Sequence, residues 1–248
     1  WTSGLPLRRP VDAAALAAAT SNARVEAVER AGKYVLVHLS RGDVLLVHLG
    51  MSGQLLFARA VEPRPPHTHV ALDLGDGDEL RYVDPRRFGV IATAPVDAVH
   101  QTEDLAGLGV DPLSPDFTVE RLAREAASAR RAAKDFLLDQ SRIAGIGNIY
   151  AAEALFVAGI SPKRRADRLG AARLARLHAA IVDILRRAVE HRGTSLRDYV
   201  DADGASGGNQ HHLHVYGREG APCQTCRTPI RRLVQGARST FYCPRCQR

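Results

Sequence analysis

Methionine occurs once, at Met51, and the chain opens instead on WTSGLPLRRP. Translation starts on methionine, so the expectation is a chain cut ahead of Trp1. Cysteine is missing before residue 223, which leaves no disulfide framework for most of the length. No apolar run is long enough to cross a bilayer as a helix, and no charged–apolar–small leader pattern opens the residues given. Internal repeats are absent, and low complexity is limited to alanine-rich stretches. Lysine is scarce, with Lys33, Lys134 and Lys163 the only three.

What remains is an ordinary globular composition of 248 residues, enough for a core in one large domain or a few small ones. The formal charge of +7 and pI near 9.6 rest on arginine. Arginine's planar fork suits phosphate, so a polyanion is the first partner to consider, beside a basic surface that serves solubility.

The four cysteines fall as C-x2-C, sixteen residues, C-x2-C: Cys223, Cys226, Cys243 and Cys246. Two such knuckles clamp one tetrahedral Zn2+; two disulfides are the rival and would need an oxidising compartment. The zinc reading implies one structural Zn2+ in a reduced, cytoplasmic setting. Residues 223–248 contain six arginines and no acid. Four thiolates and Zn2+ together carry −2, so the metallated segment stays near +4 and the chain near +5.

Residues 24–94 read as strands, with VLVHL (35–39), VLLVHL (44–49), HVALDL (69–74) and VIATA (90–94) separated by turn residues. A compact antiparallel β unit follows, a sandwich or barrel, with a short helix ahead of it at 11–20. After a loop over 95–116 the period becomes helical. TVERLAREAASARRAAKDFLLDQ is expected as one helix with Thr118 as its N-cap, NIYAAEALFVAG as a second ending at Gly159, and 171–193 as a third with Gly193 as C-cap. The fold class is α+β and multidomain. The expected segments are 1–114, 115–205 and 206–248.

Two loops suggest chemistry. GIGNIY (145–150) places Asn148 at the start of a helix, where free amides and the dipole favour an anion; a plain interhelical turn is the alternative. VDPRRFG (83–89) sets two arginines beside Phe88, either a turn whose Asp84 pairs with an arginine or an apolar wedge for a base stack. HLGMSG (48–53) puts Met51 in another strand-end turn, where a methionine is more often a core gap-filler.

AGKYVLVHL, HLGMSGQL, DPRRFG, LLDQSRIAGIGNIYAAEALF and TFYCPRCQ occur in this order. Together they closely resemble the formamidopyrimidine-DNA glycosylase family of bacterial base-excision repair enzymes, over about residues 10–248. The related endonuclease VIII branch is less similar at HLGMSG, DPRRFG and STFYCPRCQ. The resemblance implies an N-terminal antiparallel β-sandwich, a helix–two-turn–helix domain and a C-terminal β-hairpin zinc finger, with double-stranded DNA between them. It implies a monomer in the bacterial nucleoid, with no membrane, that acts on oxidised purines or abasic sites.

By motif, Met51, Arg86 and Phe88 would fill the hole left by a flipped lesion. Asn148 and Arg238 would hold the flanking phosphates, Arg238 also beside the chemistry. His67, Arg130 and Lys134 match further backbone contacts, and Lys33 matches a lysine assigned to proton transfer; by itself Lys33 reads as a solvated strand-edge lysine. The segment GASGGNQHHLHVYGREG (204–220) has no aromatic before Tyr216, unlike the family's cover for the flipped base, though its glycines suggest a mobile lid.

The family's nucleophile is an N-terminal proline with an adjacent glutamate, and neither matches a residue of this chain. The expectation is therefore a glycosylase/AP lyase by family whose 248 residues bind DNA without excising bases. A shortened, non-catalytic paralogue that binds damaged DNA is the second reading, and a zinc-ribbon transcription or translation factor the third. The missing strand is expected to leave a sheet edge open.

Overall fold

The computed structural model describes residues 1–196 and 199–248. They form two compact units, 1–106 with 191–210, and 107–190 with 211–248. Residues 191–210 return to the strands, where the Phe57 N–H donates to the Ala202 carbonyl at 2.9 Å.

The first unit is β-rich. Helix α1 (Ala13–Thr20) starts where Asp12 accepts from the Ala15 N–H. Strands β1 (Val25–Ala31), β2 (Tyr34–Leu39), β3 (Asp43–His48) and β7 (Val90–Pro95) form one antiparallel sheet in the order β1-β2-β3-β7. Strands β4 (Gln54–Arg59), β6 (Asp78–Val83) and β5 (Thr68–Gly75) form the other, with β6 in the middle. Leu16, Val37, Leu45, Val47, Val70, Tyr82 and Ile91 make the core.

Three strands escape the valine–leucine pattern. β1, VEAVERA, is exposed at six of its seven positions, so no buried face marks it. β4 is largely exposed or half-exposed. β6, DELRYV, carries charge that reads as turn, yet Glu79 and Arg81 are buried as a 2.8 Å ion pair. Arg64 closes the same carboxylate at 2.6 Å, and its hydrogen bond, more than burial opposes, holds the Glu79 pKa at about 2.

Residues 1–3 pair along β5, with the Ala71 N–H donating to the Trp1 carbonyl and the Ser3 N–H to that of His69, both at 2.9 Å. β1 remains a terminal strand with Val25 and Val28 exposed.

The second unit packs α2 (Val119–Ala127), α3 (Ala133–Leu137), α4 (Asn148–Val157) and α5 (Ala171–Glu190) beside a hairpin of β8 (Arg231–Gln235) and β9 (Arg238–Tyr242). Thr118 caps α2 as expected, accepting from the Arg121 N–H. The single long helix expected from 118 onward is instead two. Residues 128–132 leave helical geometry, and 129–133 bond across to 164–167 through the Ala132–Arg165 bridge. Arg142 donates to the Glu125 carbonyl at the end of α2. α5 ends at Glu190, and Arg192 and Gly193 are both left-handed, so the cap is a two-residue turn rather than Gly193 alone.

Helix α4 is buried through Ala151–Phe156, all round its axis. One side meets Leu122, Phe136, Ile146 and Leu177; the other, through Ala152 and Phe156, meets Val215, Ile230 and the cysteines. A helix apolar on every side belongs between two layers. Phe136, fully buried in the larger cluster, is expected to cost about 3–5 kcal/mol of unfolding free energy when changed to alanine. Urea denaturation followed by circular dichroism measures this loss.

Candidate nucleic-acid interface and zinc site

In the first unit Asp84 is fully buried and organises two loops. Its Oδ1 accepts from Ser52 Oγ at 2.7 Å and the Arg86 N–H at 3.2 Å. Its Oδ2 accepts from the Gly89 N–H at 2.9 Å and Tyr82 Oη at 3.4 Å. Among the described residues no arginine side chain pairs with it, so they do not form the alternative of a plain Asp–Arg turn. Burial and the Asp84 charge raise the Tyr82 pKa, which keeps the phenol a donor at neutral pH.

The two loops touch backbone to backbone. Gly50, left-handed at φ 62°, lies so close that a Cβ would fall 2.7 Å from the Phe88 carbonyl carbon. At Gly89 a Cβ would fall 1.6 Å from Tyr82 Oη. From this base Met51 and Phe88 project with 65% and 48% of their surface exposed, and the Arg86 guanidinium lies 5.1 Å from the Phe88 ring centre. Met51 is therefore no core gap-filler.

His67 joins the group through its backbone, whose carbonyl accepts the Asp84 N–H at 3.0 Å, and its side chain is exposed. Lys33 is exposed in the β1–β2 turn, and after burial its charge is the next cause that lowers the His48 pKa. His48 in turn accepts the Gly50 N–H through Nδ1 at 3.0 Å.

The second unit gathers Asn148, Lys134 and Arg238 at the hairpin. Gly236 and Ala237 are both left-handed, as a two-residue hairpin turn with matching twist requires. Arg238 follows directly and is exposed at the tip. Asn148 is the first helical residue of α4, and Gly147 rather than Asn148 is the N-cap. Its Nδ2 donates to Tyr216 Oη at 3.1 Å and the Ser239 carbonyl at 3.0 Å, while its buried Oδ1 has no partner.

Lys134 is fully buried, and its ammonium donates to Thr240 Oγ1 at 2.6 Å and the Ser239 carbonyl at 3.1 Å. Burial first, then the Arg238 charge, depress its pKa to about 8. Arg130 stands apart from this cluster, exposed just ahead of α3.

Two positioning residues went unread. Glu153, buried in α4, accepts from the backbone N–H groups of His214, Val215 and Tyr216 at 2.7, 2.9 and 2.8 Å. An acid inside an otherwise apolar helix was the available signal. Gln140 accepts the Gly145 N–H at 2.9 Å and donates to the Leu138 and Ile146 carbonyls, which sets the turn ahead of α4.

The four cysteine sulfurs lie within 4.8 Å of one another, with Cys226 and Cys243 at 3.4 Å and Cys223 and Cys246 at 3.9 Å. Zn–S bonds of about 2.3 Å in a tetrahedron separate the sulfurs by about 3.8 Å, so the set fits Zn2+. Cys223, Cys226, Cys243 and Cys246 hold one structural zinc. Its chemistry is cross-linking, since four thiolates leave no open position.

Cys243→Ser is expected to abolish stoichiometric zinc by atomic absorption and to lower the melting temperature of the zinc-loaded chain. Lys134 generates a pH test. Its folded pKa lies below the ordinary lysine value, so between about pH 8 and that value the unfolded chain holds more protons. Its contribution to stability therefore rises with pH in that window, and Lys134→Met is expected to flatten the rise in urea-unfolding free energies.

Family models match three stretches: the formamidopyrimidine-DNA glycosylase N-terminal domain over residues 3–91, its H2TH domain over 108–200, and a zinc finger found in FPG and IleRS over 220–248. The formamidopyrimidine-DNA glycosylase of Albidiferax ferrireducens is 48% identical over 99% of this chain and 89% of its own length. That of Geobacillus kaustophilus is 45% identical over 98% of the chain and 88% of its own. The MutM crystal structure from Thermus thermophilus superposes with a TM-score of 0.86 at 41% identity, covering 96% of this chain and 86% of that one. Lactococcus lactis Fpg in complex with DNA containing an abasic site gives 0.85 at 31% identity, over 91% and 83%. With 48% identity along almost its full extent, and with the four cysteines in zinc geometry, the chain belongs to the formamidopyrimidine-DNA glycosylase family.

Proposed function

We propose that this protein serves base-excision repair by gripping duplex DNA at oxidised purines or abasic sites, as a bifunctional glycosylase/AP lyase of its family. The observation that carries this reading is the pair of loops tied at Asp84, which hold Met51, Arg86 and Phe88 outward on a rigid base. Extruding a base leaves a gap in the stack, and exposed apolar wedges beside a guanidinium offset the lost stacking. Asn148 and Arg238 would hold the phosphates flanking the lesion, His67, Arg130 and Lys134 would make further backbone contacts, and Lys33 would serve proton transfer. Lys134 would act through the hairpin it ties rather than by its own enclosed ammonium. The related Lactococcus lactis structures contain abasic-site and Fapy-dG DNA, which supports the choice of lesion. The expected segments 1–114, 115–205 and 206–248 would then be wedge domain, phosphate-gripping domain and zinc-stapled lid, acting in the bacterial nucleoid.

The family reaction uses a secondary prolyl amine that attacks C1′, expels the base and forms a Schiff base for β,δ-elimination.

Fluorescence anisotropy with a duplex carrying a tetrahydrofuran abasic analogue tests the grip. Phe88→Ala is expected to weaken this binding about tenfold, or ~1.4 kcal/mol, with little effect on intact duplex. Equal losses on both duplexes, or none, would count against the wedge.

A further inference from the structure

Two arginine-rich stretches far apart in sequence, 129–131 and 163–168, lie side by side in the second unit. Ala132 and Arg165 form an antiparallel bridge. The Ala133 N–H donates to the Arg164 carbonyl at 2.7 Å, that of Ala166 to Arg131 at 2.9 Å, and that of Asp167 to Ala129 at 3.1 Å. This short ladder assembles six cations: Arg130, Arg131, Lys163, Arg164, Arg165 and Arg168.

Acid on the ladder is too sparse to balance them. Asp139 takes Arg131 at 2.9 Å and Asp167 takes Arg165 at 2.6 Å. The Asp167 carboxyl is held below its ordinary range by the Arg165 hydrogen bond first, and then by the charges of Arg165, Arg168 and Arg130. Arg130, Lys163, Arg164 and Arg168 have no carboxylate partner among the described residues. Arg164 Nε is buried with no hydrogen-bond partner at all. Arg165, Arg168 and Arg130 all act on the one Asp167 carboxylate, so the ladder concentrates positive charge on a bonded backbone where a surface kept only for solubility would interleave both signs.

The ladder is also continuous with the hairpin. The Pro162 carbonyl accepts from Gln235 Nε2 at 3.2 Å and from the Lys134 N–H at 3.4 Å. The Lys163 ammonium lies 5.5 Å from the Tyr242 ring centre. The cations are thereby held in a constant relation to the hairpin strands that carry Arg238.

We propose that this ladder is a second phosphate-binding surface that grips duplex backbone beyond the phosphates flanking the lesion. The proposal rests on the DNA-binding reading above and extends its footprint. Its work is sequence-independent, because guanidinium–phosphate contacts position a duplex without reading bases.

The test compares the zinc-loaded chain with Arg164→Ala/Arg168→Ala, and with Arg168→Glu at an exposed position as the variant least disturbing to the fold. Anisotropy is read on abasic-analogue duplexes of about one and about three helical turns. On the longer duplex the double variant is expected to lose about tenfold in affinity. Its slope of log K against log salt should fall by about 2, at roughly 0.9 for each phosphate no longer neutralised. Arg168→Glu should lose affinity on the same duplex, and both variants should match wild type on the shorter one. Unchanged affinity and slope on the longer duplex, or equal losses on both lengths, would overturn the proposal. A wild-type chain that binds neither duplex would overturn the DNA-binding reading itself.

Discussion

The second unit depends on the burial of α4 on every side over Ala151–Phe156. Packed between the main helical cluster on one side and Val215, Ile230 and the cysteines on the other, the helix has no freedom to rotate or slide. Its orientation decides where Asn148 sits, and Glu153, one and a half turns along, takes three backbone N–H groups of the 214–216 loop. That loop brings Tyr216 against Asn148 and Phe241. Zinc then ties the hairpin to the same layer, so the tip that carries Arg238 inherits its position from an apolar helix core.

The first unit answers to a different constraint, one buried carboxylate. Asp84 receives two backbone N–H groups and two hydroxyls, enough to hold a charge out of water. The glycines around it let the two loops meet without side chains between them. Exposure of Met51 and Phe88 is then a consequence of that rigidity: the backbone beneath them is fully committed, and the apolar side chains have nowhere to bury.

The sequence was legible where local chemistry and spacing suffice. Cys223, Cys226, Cys243 and Cys246 meet at zinc distances because two tight knuckles need little help from the rest of the chain. β2, β3, β5 and β7 appeared through valine and leucine runs, and Thr118 through its capping chemistry. β1 and β6 did not appear. One has no buried face, and the other buries Glu79 and Arg81 against each other, so its charge imitates a turn. The break between α2 and α3 was likewise unreadable, since its bonds lie with residues 164–167, more than thirty positions onward.

By itself the sequence determined the zinc ligands, the order of β-rich and helical parts, the arginine-borne charge and the motif set that places the chain in its family. Only the tertiary structure decided which polar groups are structural and which are presented. Lys134 matches a backbone-contact position by motif and is enclosed by the hairpin; Met51 reads as core and stands in the open. Residues 129–132 read as part of one long helix and become one side of a ladder. The reason is common to all three. Burial and the partners of a side chain are set by distant segments that pack beside it, which no local pattern encodes.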